Sequence, residues 1–103
     1  MKTEFVPYYA VIFSSIQTDQ LEGYSEMAEK MEQLAKNQPG FIALESARSG
    51  LGITVSYWKT LADISNWKKH SEHMIAQELG RFNWYDWYHV RICKVEREYT
   101  FQN

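Results

Sequence analysis

Residues 53–90, ITVSYWKTLADISNWKKHSEHMIAQELGRFNWYDWYHV, decide the fold. Ile53, Val55 and Tyr57 alternate with Thr54, Ser56 and Trp58, so β-branched and aromatic side chains recur at period two and predict a strand. Thr60-Leu61-Ala62-Asp63 then reads as a capping box, in which the Thr60 hydroxyl and the Asp63 carboxylate satisfy backbone donors at a helix start. Leu61, Ile64, Trp67, Met74, Ile75, Leu79 and Phe82 follow at nearly helical spacing and supply a wide apolar stripe. Gly80 marks where that helix stops or bends. From Trp87 to about Tyr99 a last strand is expected, with Tyr88, Val90 and Ile92 on one parity and His89, Arg91 and Cys93 on the other. Its far half, from Lys94 to Tyr99, turns polar, which predicts a bulge or an overhang there.

Upstream, Tyr8 to Ile16 reads as a strand whose two parities, Tyr9, Val11, Phe13 and Tyr8, Ala10, Ile12, are both apolar. Such a strand has to be covered on both sides. Asp19-Gln20-Leu21-Glu22 is an acidic capping box for another helix, with Leu21, Tyr24, Met27, Ala28, Met31, Leu34 and Ala35 as its buried stripe. Pro39-Gly40 ends it. Phe41 to Arg48 is a strand, and Ser49-Gly50-Leu51-Gly52 joins it to the strand at Ile53 as an antiparallel hairpin.

The order β-α-β-β-α-β is the ferredoxin-like pattern of an α+β domain, here a single domain over residues 1–103. Right-handed crossovers place the first and third strands in the middle of a four-stranded antiparallel sheet with both helices on one face. The other face needs a cover, and a second copy of the same sheet is the economical one, so a homodimer joined through the open sheet face is expected.

The net charge of -2, with both signs scattered, offers no basic patch for nucleic acid. No apolar run reaches the length of a membrane span, no leader peptide is evident, and Cys93 is the lone cysteine, which together suit a cytoplasmic protein. Aromatic residues make up 16% of the chain, with Trp58, Trp67, Trp84 and Trp87 all in its second half. Rings at that density serve either a pocket for a flat ligand or a subunit interface. Trp84, Trp87 and Tyr88 read as interface packing.

Pro39-Gly40-Phe41, Ser56-Tyr57-Trp58, Trp67 nine residues on, the run His70-Ser71-Glu72-His73 and Trp84-Tyr85 together carry a likeness. In that order and within this frame, the chain resembles the antibiotic biosynthesis monooxygenase family of dimeric α/β barrels. The resemblance implies two ferredoxin-like subunits packed sheet to sheet, each with a pocket between its helices and its own sheet. It also implies several chemistries: oxygenation of phenols or hydroquinones by molecular oxygen with neither metal nor flavin, haem degradation, or isomerisation and cleavage of lactones. Fold is therefore better specified than reaction.

Within that resemblance, Trp67 is the leading site residue, since relatives press a Trp at this point of the helix against a flat substrate. His73 is expected as general base, because a neutral imidazole takes a phenolic proton near neutral pH. Asn66 joins Trp67 and His73 as a catalytic candidate, and Trp67, His70, Met74, Gln77, Phe82 and Tyr85 are the expected substrate-binding set. His70 and His73 share a helix face but lack a third ligand at recognisable spacing, so no metal site is expected. The haem-degrading pattern asks for an Asn in the first strand and a His ten residues after the helix Trp. Here the strand has no Asn and Gln77 stands in the second place. Haem is thus a cofactor only in an alternative reading, below oxygenation of a small electron-rich aromatic or quinol-like substrate without a cofactor. Sequestration of a hydrophobic metabolite without catalysis is the other alternative.

Overall fold

The computed structural model describes residues 4–79 and 84–103, and the side chains of all of these except 74–79. Its elements are β1 (Tyr8–Gln17), α1 (Tyr24–Lys36), β2 (Phe41–Ser49), β3 (Leu51–Trp58), α2 (Leu61–Leu79) and β4 (Tyr85–Val95). The strands form one antiparallel sheet in the order β2-β3-β1-β4, so β3 and β1 are central as expected for the ferredoxin-like topology. None of the described helices is long and apolar enough to cross a membrane.

Local chemistry sets most boundaries. At the start of α2 the Asp63 N–H donates to Thr60 Oγ1 at 3.0 Å, and that hydroxyl donates to Asp63 Oδ2 at 2.8 Å. The expected box is there, with the carboxylate holding the hydroxyl rather than a backbone N–H. The start of α1 differs from expectation. Asp19 caps nothing: the helix begins after Gly23, whose φ is 78° and which brings no side-chain cap. Two contacts explain the delay. Thr18 Oγ1 accepts the Gln20 N–H at 3.1 Å in a local turn, and the Glu22 carbonyl accepts the Trp84 indole N–H at 2.9 Å. Leu21, outside the helix, is exposed. The exit from α1 runs through Gly40 (φ 82°), where a Cβ would stand 2.0 Å from Asp63 Oδ2. The capping carboxylate of α2 thus occupies the space that a side chain at position 40 would need.

Both helices lie on one face, since Ala35 of α1 and Ile64 of α2 pack on Trp58 of β3, edged by Tyr9, Val11, Phe41 and Trp67. Register then assigns every strand residue a side. Tyr9, Val11, Phe13 and Ser15 of β1 pair with Trp58, Ser56, Thr54 and Gly52 of β3 and with Lys94, Ile92, Val90 and Tyr88 of β4, all facing the helices. The opposite face carries Tyr8, Ala10, Ile12, Ser14 and Ile16, the last four paired with Tyr57, Val55, Ile53 and Leu51 of β3. In β3 the apolar parity therefore points away from the helices, and the parity with two hydroxyls points toward them.

β4 starts two residues earlier than expected and ends at Val95, leaving 96–103 as an overhang without regular structure. The Tyr8 hydroxyl donates to the Glu98 carboxylate and ties that segment to β1. The overhang expected in the far half is thus present, and a bulge lies at the other end of β4, where Ile16 pairs with Trp87 but Gln17 pairs with Tyr85. Asp86 is the extra residue of that bulge.

Candidate functional site

The site builds outward from Trp58. This side chain is 0% exposed, its indole N–H donates to Ser56 Oγ at 2.9 Å, and Phe41 meets it edge-on at 5.5 Å. So fixed, it supports Trp67 of α2, stacked on it at 6.0 Å and 24°. His70, one helical turn on, brings its ring to 5.9 Å from Trp67, consistent with the i,i+3 neighbourhood on a helix. Trp67 is half-buried and His70 exposed. One end of the helix-side face is therefore a rigid aromatic ledge edged by an imidazole.

From this ledge the floor runs along β1 and β4 through Val11 and Phe13, with Val90 and Ile92 beside them still 44% and 52% exposed. On the β3 side the same rows carry the hydroxyls of Ser56 and Thr54. Six residues separate the Tyr9 row from the Ser15 row, which at about 3.3 Å per residue makes a trough roughly 20 Å long. An apolar floor flanked by hydroxyls suits a flat ligand with polar substituents.

The far end is a cluster of rings. Phe13 stacks on Tyr88 at 5.3 Å and meets Tyr85 edge-on at 5.5 Å. The Tyr85 hydroxyl donates to Tyr24 Oη at 3.4 Å, and Tyr24 stands perpendicular to Trp84 at 5.4 Å. Burial, then the hydrogen bond to Tyr24, pushes the Tyr85 phenol well above the ordinary tyrosine range, against a smaller opposing pull from Arg48. Tyr85 therefore stays protonated at neutral pH and serves as donor, not base. It reaches this face only through the bulge: in an unbroken strand it would share the side of Trp87.

The expected site residues divide accordingly. Trp67, His70 and Tyr85 lie on the helix-side face or its edge, with Trp67 and His70 at one end of the trough and Tyr85 at the other. Asn66 and His73 are on α2 and exposed. Met74 and Gln77 belong to α2, but their side chains lie outside the described residues, and so does Phe82 entirely. The trio expected at an interface separates: Trp84 is 6% exposed and packed within the subunit, Tyr88 lines the trough, and Trp87 alone faces the open side. Sequence reasoning missed Phe13, Tyr24 and Arg48. Phe13 was visible by parity, while Tyr24 and Arg48 depend on cross-element contacts that no local pattern encodes. Among the described residues no group of three His, Cys, Asp or Glu is placed to hold a metal ion.

The comparisons agree with this architecture. YqjZ of Bacillus subtilis, itself uncharacterised, is 52% identical over 103 residues, covering 98% of this chain and 90% of that protein. Jasmonate monooxygenase ABM of Pyricularia oryzae is 29% identical over 92 residues, covering 84% of this chain but 43% of that longer protein. Among solved structures, SnoaB, a cofactor-independent oxygenase from Streptomyces nogalater, superposes with a TM-score of 0.64 at 8% identity, covering 95% of this chain and 100% of its own. MhuD with two manganese protoporphyrin IX bound per active site gives 0.63 at 12% identity, covering 92% and 99%. At such identities these last two likenesses concern the fold. The family model for antibiotic biosynthesis monooxygenase matches residues 7–79. With most of its length matched in this way, the chain belongs to the antibiotic biosynthesis monooxygenase family.

Proposed function

We propose that this protein is a cofactor-independent monooxygenase of a small electron-rich aromatic or quinol-like substrate, working in the cytoplasm as a homodimer joined through the open sheet face. The observation that carries the reading is the trough, with a ring platform and an imidazole at one end and a phenol pair, Tyr85 donating to Tyr24, at the other. The dimer is supported by the outward-facing apolar parity of β3 and by Ile16, Leu51, Ile53 and Trp87, each 37% exposed or more on that face. An exposed lone Cys93 accords with a reducing compartment.

In this reading the substrate ring lies against Trp67, and an α2 imidazole, His73 or the His70 beside Trp67, removes its acidic proton with Asn66 as hydrogen-bonding neighbour. The resulting anion passes one electron to oxygen. The substrate radical and superoxide then combine to form a C–O bond, and the hydroperoxide loses water to leave a carbonyl. Both reducing equivalents come from the substrate, and the two oxygen atoms end in product and water. The protein's share is to hold the ring, take the proton and exclude bulk solvent.

Oxygen uptake on a panel of anthrones and hydroquinones tests this. Turnover above the spontaneous rate, cut at least about tenfold in His73→Ala or His70→Ala while the far-UV spectrum is unchanged, is the expected result. Uptake no faster than the buffer control on every member of the panel would remove the reading. Haem binding is the second reading, favoured by the fold shared with MhuD and by the imidazole at the Trp67 edge. A saturable Soret shift on titration with hemin, at one haem per subunit and lost in the histidine variants, would put it first.

A further inference from the structure

One cation on the helix-side face has no part in the chemistry just described. Arg48 of β2, Gly52 of β3, Ser15 of β1 and Tyr88 of β4 form one continuous row across the sheet. The Arg48 side chain lies along that row. Its Nη2 donates to Ser15 Oγ at 2.6 Å and its Nη1 to the Ser15 carbonyl at 3.3 Å, reaching across the intervening strand. Gly52 makes the passage: a Cβ there would stand 2.1 Å from Arg48 Cζ. Ser15 is 0% exposed, so the guanidinium is seated on a buried polar group rather than waving in solvent.

Arg48 ends on Ser15 and not on a carboxylate. Among the described residues none pairs with Arg48, and the ion pairs Lys36–Glu32 and Lys68–Glu72 are surface helix pairs elsewhere. A guanidinium has five N–H donors in a planar fork, and Ser15 takes two of them. Arg48 as a residue remains exposed, and its charge is felt at the Tyr85 hydroxyl. A fixed fork with spare donors, beside a wall of rings, has the form of a carboxylate receptor.

We infer that Arg48, seated on Ser15 over Gly52, anchors a carboxylate carried by an aromatic substrate whose ring lies over Phe13 and extends from there toward the Trp67 ledge. This rests on the trough being the substrate site and adds the substrate's class: an aromatic or quinol-like acid, oriented along β1 with its anion at the Ser15 row. The geometry gives the trough a direction, which an aromatic ledge alone does not.

The test uses the full chain and two probes that differ in one group, anthraquinone-2-carboxylate and anthraquinone-2-carboxamide, with quenching of tryptophan fluorescence as readout. The carboxylate should bind at least about tenfold more tightly than the amide, as a charge-assisted pair supplies. Arg48→Gln should abolish that preference and leave amide affinity unchanged, and Arg48→Lys should keep part of it. A preference that survives Arg48→Gln, or equal binding of both probes to the native chain, overturns the anchor and leaves the aromatic site standing. Failure of both probes to bind removes the site and the anchor together. Should Arg48→Gln prove misfolded by far-UV circular dichroism, Ser15→Ala, which unseats the guanidinium, should lower the preference severalfold, and no change there overturns the proposal.

Discussion

The two faces of β3 invert the usual relation between polarity and cover. The face under the helices carries Thr54 and Ser56 beside Trp58, while the face without helices carries Leu51, Ile53 and Val55. A packed core would have reversed this. Hydroxyls beneath a helical layer make sense where the layer roofs a space that holds a ligand, and aliphatics on the bare side make sense where another apolar surface arrives. On β3, then, the helices lie over the hydroxyl-bearing side, and the side stripped of them carries the aliphatics.

The contrast can be broken most severely at Trp58, the one place where the helix-side face is true core. Trp58→Ala should cost about 3–5 kcal/mol, read as a fall in the urea midpoint. If the loss is under about 1 kcal/mol, the ledge supporting Trp67 is not the anchor described here. On the bare face, Ile53→Asp puts a charge where a partner sheet is proposed. It should weaken self-association by at least about thirtyfold, measured by sedimentation, while the far-UV spectrum holds. A monomeric native chain at micromolar concentration would end the argument that this face is an interface. Ser56→Ala sharpens the comparison from the hydroxyl side, because it leaves the buried Trp58 N–H without its acceptor. A loss of about 1–2 kcal/mol is expected, whereas the same change at the unbonded surface would be nearly silent.

The smallest effect concerns Tyr57 on the open face, whose hydroxyl donates to a Glu45 carboxylate oxygen at 2.7 Å. That bond, then slight burial, pushes its phenol up to about 12. A folded-state value above the unfolded one near 10 means that the protonated phenol stabilises the fold. The contribution is whole below pH 10 and fades as pH rises toward about 12. Absorbance titration at 295 nm should show one late-ionising tyrosine lost in Tyr57→Phe, and an ordinary titration in the native chain would remove the Glu45 contact from the account.

Element order, strand pairing and the Thr60 cap were legible in the sequence because each depends on neighbours along the chain. Ile53, Val55 and Tyr57 could be grouped by alternation alone. What alternation could not say is which group faces the helices, since that depends on where α1 and α2 dock, and Ala35 and Ile64 chose Trp58. The start of α1 was misplaced for a similar reason: Asp19 has the chemistry of a cap, but Trp84, distant in sequence, claims the Glu22 carbonyl and delays the helix to Gly23. Trp67, His70 and Tyr85 were singled out through family likeness, and they lie on the helix-side face or its edge. Arg48 was not, because its reach over Gly52 to Ser15 crosses from β2 over β3 to β1.

The bulge at Asp86 has a consequence for how such chains diverge. A strand assigns its residues to two sides by simple counting, and one extra residue resets the count for everything before it. In a regular strand that kept Asp86, Asp86 would stand opposite Gln17 and Tyr85 would pass to the bare face, while every pairing from Trp87 to Val95 stayed in place. A relative that straightened this strand would therefore trade Tyr85 for Asp86 on the helix side with no change in the residues themselves, a change of frame written in protein instead of in nucleic acid.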